Sequence, residues 1–257
     1  MQAYGPILAR IYDRRWSAFA ARAAAAILAF YESARPGRAP GALLDVCCGT
    51  GQLALFFLER GWRVVGLDAS EWMLGHARRH AAAHVAAGRA RFVPGDAATF
   101  CLEERFDLAV STFDSLNHLA DEKELAGCFR SVHRALGDGG LFVFDLNTRL
   151  GLRRWDGVTL ADSDEEWTVT HRGFYDEAAR RGGSRITGIV ARPDGSREAF
   201  EETVVNTVFD LGRVERLLGA TGWSGVRFAR LDDLAAPLAQ PESEGRVFVV
   251  AAKEGNS

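Results

Sequence analysis

A chain of 257 residues is long enough for one large α/β domain or for a domain carrying an inserted piece. With 47% apolar and 25% charged residues it has the composition of a folded globular protein with a sizeable core. The net charge of −3 argues against a nucleic-acid footprint, which would show as a basic face, and short clusters such as Arg78-Arg79 read as solvated surface.

The four cysteines are Cys47, Cys48, Cys101 and Cys128. None forms a C-x-x-C pair, and the vicinal Cys47-Cys48 is poor geometry for a disulfide, so reduced thiols and no metal are expected. There is no basic-then-apolar leader and no run of about 18 apolar residues, so a cytoplasmic protein without a membrane partner is expected.

The alanine-rich run from Arg14 to Glu32 predicts a helix, because alanine costs least there. The segment Arg35-Pro-Gly-Arg-Ala-Pro-Gly41 breaks it as a linker. An alternation then begins: a strand at Ala42 to Val46, a helix from Gln52 to Arg60 stopped by Gly61, a strand at Trp62 to Leu67, and a helix capped by Ser70 that runs toward Gly88. Strands follow at Ala90 to Val93 and Phe106 to Ser111. Asp121 and Glu124 resemble a capping box ahead of a helix that ends at Gly137. Leu141 to Leu146 is a fifth strand, apolar except for Asp145. Unbroken apolar strands alternating with helices predict a doubly wound, mostly parallel α/β sheet of Rossmann type over the first ~147 residues.

After residue 147 the pattern changes. Glu166 to His171, Arg185 to Arg192 and Arg197 to Phe209 are rich in Thr, Val and Ile, with turn signals at Arg181-Gly-Gly and Pro193-Asp-Gly195. These predict an antiparallel β insertion after the fifth strand. A helix from Asp210 to Thr221 and strands at Trp223 to Leu231 and Arg246 to Lys253 close the chain.

Ligands of open α/β sheets bind beyond the carboxyl ends of the strands. Asp45 ends the first strand, and Gly49 and Gly51 let the following turn approach a ligand without a Cβ in the way. Asp68 ends the second strand, where a carboxylate can accept from two ribose hydroxyls. Asp96 follows the third and is placed to accept an adenine amino group. Gly49-Thr-Gly51-Gln-Leu-Ala54 also satisfies the G-x-G-x-x-A form of the dinucleotide fingerprint, which keeps a nicotinamide-dependent oxidoreductase open as an alternative. Against it, Asp45 would repel a pyrophosphate and welcome an ammonium.

Leu43-Leu-Asp45-Val-Cys-Cys-Gly49-Thr-Gly51, then Val64-Val-Gly-Leu-Asp68-Ala69-Ser-Glu-Trp-Met73, resemble the first two signature motifs of class I S-adenosylmethionine-dependent methyltransferases. Gly95-Asp96-Ala97, Phe106-Asp107-Leu and Leu136-Gly-Asp-Gly-Gly140-Leu-Phe-Val-Phe-Asp145 resemble the later ones, in order and spacing. The resemblance implies an S-adenosylmethionine pocket made by Asp45, Cys47, Gly49, Gly51, Asp68, Ala69, Met73, Asp96 and Ala97, with Thr112 and Phe113 passing the methionine end. The product would be S-adenosylhomocysteine. A non-catalytic cofactor-binding scaffold would carry the same loop.

Asp114-Ser-Leu-Asn-His118-Leu and Asp145-Leu-Asn147 are similar to the group containing glycine N-methyltransferase and amino-sugar N-methyltransferases. That likeness implies methylation of an amine or hydroxyl of a small molecule by in-line displacement, beneath an N-terminal lid and the β insertion. It divides the chain into a lid and linker (1–40), a cofactor-binding core (41–147), a substrate cover (148–208) and the closing elements of the core (209–257). His118 is the leading candidate base, since an imidazole titrates near neutral pH, and Asp114 is a second catalytic candidate. Tyr12, Trp16 and Asn147 are candidate acceptor contacts. The Asn/Asp-Pro-Pro-Tyr/Phe motif of base-methylating enzymes is replaced by Ser111-Thr-Phe-Asp114, which again argues against nucleic acid. The acceptor and the oligomeric state stay open; a dimer paired through the insertion's edge is one possibility.

Overall fold

The structure is a computed structural model and describes residues 4–192 and 194–255. Five strands, β1 (Ala42–Val46), β2 (Arg63–Asp68), β3 (Ala90–Pro94), β4 (Phe106–Ser111) and β5 (Leu136–Asn147), lie parallel. With β10 (Trp223–Ala229) and the antiparallel β11 (Arg246–Lys253) they form a seven-stranded sheet, ordered β10-β11-β5-β4-β1-β2-β3. The order reverses between β1 and β4, the switch point at which such sheets take ligands. Every residue of β1 is buried, as expected of a strand covered on both faces. Helices α3 (Gln52–Leu58), α4 (Glu71–His80) and α6 (Glu122–Ala135) connect the parallel strands.

The alanine-rich helix expected from Arg14 to Glu32 is α2 (Ser17–Ala34), and a separate helix, α1 (Pro6–Arg15), which the sequence does not signal, precedes it with a break at Trp16. Their apolar faces point to different partners. On α2, Ala23, Ala24, Ile27 and Tyr31 join Leu43 and Leu53 in the main core, whereas Leu8 and Ile11 of α1 pack against Trp167, Val169, Ile186 and Val190 of the insertion. Helix propensity sets the conformation of each segment, and tertiary packing sets the bend. The helix expected to run toward Gly88 is divided at Ala81, into α4 and α5 (Ala82–Ala86).

After β5 come α7 (Arg149–Arg153) and β6 (Thr159–Ser163), which the sequence does not signal. They precede β7 (Trp167–Asp176), β8 (Arg181–Ala191) and β9 (Arg197–Thr207) in a four-stranded antiparallel sheet. The turn expected at Arg181-Gly-Gly lies earlier, at residues 177–180, where Arg180 takes φ +53°. Gly182 and Gly183 sit within β8, and a Cβ on Gly183 would stand 2.0 Å from the Val204 carbonyl oxygen. These glycines serve close backbone approach. Pro193, in the second expected turn, lies outside the described residues; Gly195 beside it has φ +83°. Helix α8 (Leu211–Ala220) completes the fold. Among the described residues no helix is long and apolar enough to cross a membrane.

Candidate active site

The carboxyl ends of β1, β2, β4 and β5 carry the chemistry. After β1 the chain turns through left-handed backbone at Cys47 (φ +59°), Gly49 (φ +54°) and Gly51 (φ +81°). A Cβ on Gly51 would stand 2.8 Å from that of Ala77, so glycine also lets α4 pack against the loop. Asp68 braces this turn: its carboxylate accepts from the Gly49 N–H and the Ser70 N–H, each at 2.8 Å. Burial raises its pKa, and these two backbone donors oppose the rise. A carboxylate has about four acceptor positions, so hydroxyl-binding capacity remains.

Asp45 lies beneath the same loop, 2% exposed. Its Oδ2 is buried and finds no hydrogen-bond partner among the described residues. Burial, helped by the neighbouring Asp68, pushes its carboxyl up to about 8. Such an orphaned acceptor fits a cationic ligand group. Burial likewise raises the Cys47 and Cys48 thiols well above their usual range, which keeps them as packing groups. Met73 is buried in the first turn of α4, where the Met73 N–H is capped by Ser70 Oγ at 3.4 Å. Ala69 beside Asp68 is exposed. At the end of β3, Asp96 is exposed and accepts from the Ala98 N–H at 2.8 Å, with Ala97 buried beside it.

Beyond β4 the backbone enters the left-handed region twice, at Phe113 (φ +69°) and Asp114 (φ +51°). Neither is glycine, so the conformation needs support from its surroundings. Asp145, fully buried on β5, accepts the Phe113 N–H at 2.5 Å and the Asp114 N–H at 2.9 Å. Arg246 of β11 bridges the two acids, contacting Asp145 and bonding Asp114 Oδ1 at 2.6 Å. Burial alone would lower the Arg246 guanidinium; Asp145 and Asp114 outweigh it and hold the group above its ordinary value. Burial raises Asp145 in turn, against the pull of Arg246. The Asn206 side chain donates to Asp114 Oδ2 at 2.9 Å, tying the insertion to the loop.

Helix α1, the segment expected to act as a lid, lies over this floor. Tyr12 sits 5.3 Å from Trp16, 5.8 Å from Tyr4 and 6.0 Å from Phe113, between ring centroids. Its ring is also 3.8 Å from where a Cβ on Gly49 would be. Between lid, floor and hairpin sheet lies a cavity of about 560 Å³. Tyr12, Trp16, Phe113, Asp114 and Asn147 all line it. His118 is not part of its wall. It stands behind Tyr4, with Nδ1 donating to the Val205 carbonyl at 3.0 Å and Nε2 3.4 Å from the Tyr4 hydroxyl. Thr112 accepts from Ser115 Oγ at 2.8 Å through its carbonyl.

Three residues without a role in the sequence analysis hold the site together. Arg246 and Asn206 are two; the third is buried Asn117, which accepts the Asn147 N–H and donates to the carbonyls of Asn147 and Thr207. Asn117 lies within a quoted motif and was legible to that extent. Arg246 gives no local signal, since its partners are over 100 residues away.

A family model described as a methyltransferase domain matches residues 43–140. The putative methyltransferase YqeM of Bacillus subtilis is 30% identical over 136 residues, 52% of this chain and 54% of that protein, so the chain spans about half its length. The dTDP-3-amino-3,4,6-trideoxy-alpha-D-glucopyranose N,N-dimethyltransferase of Streptomyces venezuelae is 36% identical over 188 residues, covering 70% of this chain and 74% of that one. Among solved structures, an S-adenosylmethionine-dependent methyltransferase from Clostridium acetobutylicum superposes with a TM-score of 0.78 at 20% identity, covering 96% of this chain and 98% of that one, which bears on the fold. The chain belongs to the S-adenosylmethionine-dependent methyltransferases.

Proposed function

We propose that this enzyme methylates an amine of a small molecule by in-line displacement. The observation that carries the reading is the cavity beside the Gly49–Gly51 turn, lined by aromatic rings and by Asp114. The similarity to an amino-sugar N,N-dimethyltransferase supports an amine over a hydroxyl. The lid and the insertion form the acceptor cover, and the parallel sheet forms the cofactor core.

S-adenosylmethionine supplies a methyl already activated on a sulfonium. Asp68 would hold its ribose hydroxyls, Asp45 its ammonium and Asp96 its adenine amino group, with Ala69, Met73 and Ala97 lining the adenosine side and the Cys47–Gly51 turn and Thr112-Phe113 the methionine side. The remaining chemistry is positioning. Asp114, fixed by Arg246 and Asn206, accepts a hydrogen bond from the acceptor's N–H and orients its lone pair. Tyr12 and Trp16 exclude water, and Asn147 contacts the acceptor beside them. An amine that arrives protonated must lose a proton first. Tyr4 lines the cavity, and its hydroxyl would pass that proton to His118 Nε2, whose lone pair is fixed by the Nδ1–H bond to Val205. Burial keeps the Tyr4 phenol protonated, as a relay requires.

The test is S-adenosylhomocysteine formation with a matched panel of amino sugars and the corresponding hydroxy sugars. Turnover with the amines alone supports the reading; turnover restricted to the hydroxyl set, or none with either, overturns it.

A further inference from the structure

We propose that Asp13, His76 and His80 form a binding site for a divalent cation of zinc type, and that the bound cation fastens the lid helix to the cofactor loop. The site lies outside the acceptor cavity. His76 and His80 are one helical turn apart on α4 and share a face. Asp13, in the last turn of α1, reaches between them. Its Oδ2 lies 2.9 Å from His76 Nδ1 and 3.3 Å from His80 Nε2, and the three ligand atoms all lie within 4.8 Å of one another. A tetrahedral zinc with bonds of about 2.0–2.1 Å separates its ligand atoms by about 3.3 Å, so small side-chain adjustments suffice.

The surroundings point the same way. His80 Nδ1 is 3.0 Å from the Thr50 carbonyl oxygen. A carbonyl only accepts, so this nitrogen carries the proton and the Nε2 of a neutral His80 is a bare lone pair. That lone pair faces a carboxylate oxygen of Asp13, a pairing that a cation, as a proton or a bound metal ion, completes. An imidazole N–H bonded to a backbone carbonyl is also the usual outer support of a metal-binding histidine. The other oxygen of Asp13 accepts from Gln52 Nε2 at 2.9 Å, and Gln52 is held in turn by Thr50 Oγ1 at 2.5 Å. Asp13 is 16%, His76 17% and His80 31% exposed in their side chains, open enough for an ion to enter. A ligating imidazole is neutral; His76 would bind the ion through Nδ1 and keep its proton on Nε2. Two imidazoles and one carboxylate suit zinc and leave a fourth position for water.

The consequence follows from connectivity. Asp13 belongs to the lid, while Thr50 and Gln52 belong to the turn and helix that follow β1. An ion bound here links α1, α4 and the Gly49–Gly51 turn. The binding measurement needs neither cofactor nor acceptor, so its failure is distinct from failure of the methyl-transfer reading.

The experiment titrates the chelator-treated full chain with zinc chloride against a chromophoric zinc indicator, and separately with cobalt(II). The expected result is one equivalent bound, with a cobalt spectrum of nitrogen and oxygen ligands. Replacing Gln52 with Ala should weaken binding by roughly 10–100-fold, as loss of an outer support does, and His76→Ala and His80→Gln each by more. Zinc should slow hydrogen exchange over residues 6–15. Absence of binding, wild-type affinity in both histidine variants, or a thiolate charge-transfer band would overturn the site. Unchanged exchange over residues 6–15 would overturn the fastening.

Discussion

The parallel-sheet core and the antiparallel cover of this molecule, the proposed cofactor and acceptor halves, are stabilised differently. In the core, β1 is buried along its whole length, and apolar clusters fill both faces of the sheet. In the cover, β9 alternates exposed and half-buried residues over most of its length. The buried cluster beneath the antiparallel sheet consists of Leu8, Ile11, Trp167, Val169, Ile186 and Val190, the first two supplied by the lid helix. One half is thus held by packing on two sides. The other is a one-sided sheet that shares its thin core with the lid and is tied down by polar contacts through Asn117, Asn206 and Arg246. Damage to the core should therefore appear in cofactor binding and global stability, and damage to the cover in acceptor binding and local opening.

The largest effect is expected at the rim of the core. Asp68→Ala removes the carboxylate proposed to hold two ribose hydroxyls, each charge-assisted bond contributing about 1.5–3 kcal/mol. Titration calorimetry should find S-adenosylmethionine affinity reduced by about 3–6 kcal/mol on that basis. Unchanged affinity would remove the assignment and, with it, the contrast between the halves.

Arg246→Met probes the seam. It leaves Asp145, 0% exposed in its side chain, without its cation. Breaking a buried pair in this way costs about 3–5 kcal/mol, read as a lower urea midpoint. A loss under about 1 kcal/mol would place the pair among exposed bridges and break the claim that charge joins the halves.

Within the cover, Leu8→Ala should cost about 2–5 kcal/mol, felt by the small shared cluster. Hydrogen exchange should accelerate in β7 and β8, and the acceptor KM should rise, with cofactor affinity unchanged. Acceleration spread evenly over β1 and β4 would show a single cooperative unit instead.

The same contrast explains what was legible in the sequence. Both β4 and β11 begin and end as read, since the apolar runs at residues 108–110 and 247–251 mark strands buried through their centres. The cofactor turn was visible as glycines and acids, although Gly49-x-Gly51-x-x-Ala54 alone suited a nicotinamide site; the acids arriving in order after successive strands separated the readings. The cover was visible only as a class of structure. The break at Trp16 is set by two packing partners, and Gly182-Gly183 imitates a turn because close strand approach and tight turning both demand glycine. His76 and His80 show helical spacing, but Asp13 joins them only through the fold. Arg246 meets Asp114 across 132 residues, and no local pattern encodes such a meeting.

The least direct effect tests whether the Asp45 cradle is built for a ligand at the expense of the empty protein. Its folded carboxyl is raised to about 8 from an ordinary 3.8. For a raised carboxyl, full stability is present below the unfolded value and is lost as pH rises through the folded one, because unfolding then releases a proton. Asn at this position can still accept the Ala54 N–H that Asp45 accepts, and it carries no titrating group. Empty Asp45→Asn should therefore match the wild type below about pH 4 and become progressively more stable than it as pH rises toward about 8, with the gap then level. Saturating S-adenosylmethionine should close or reverse that gap, because only the ionised acid can pair with the cofactor's ammonium. Thermal melts across this pH range, with and without cofactor, supply both readings. A gap that persists unchanged with cofactor would make Asp45 a buried structural acid and move ammonium recognition elsewhere in the turn.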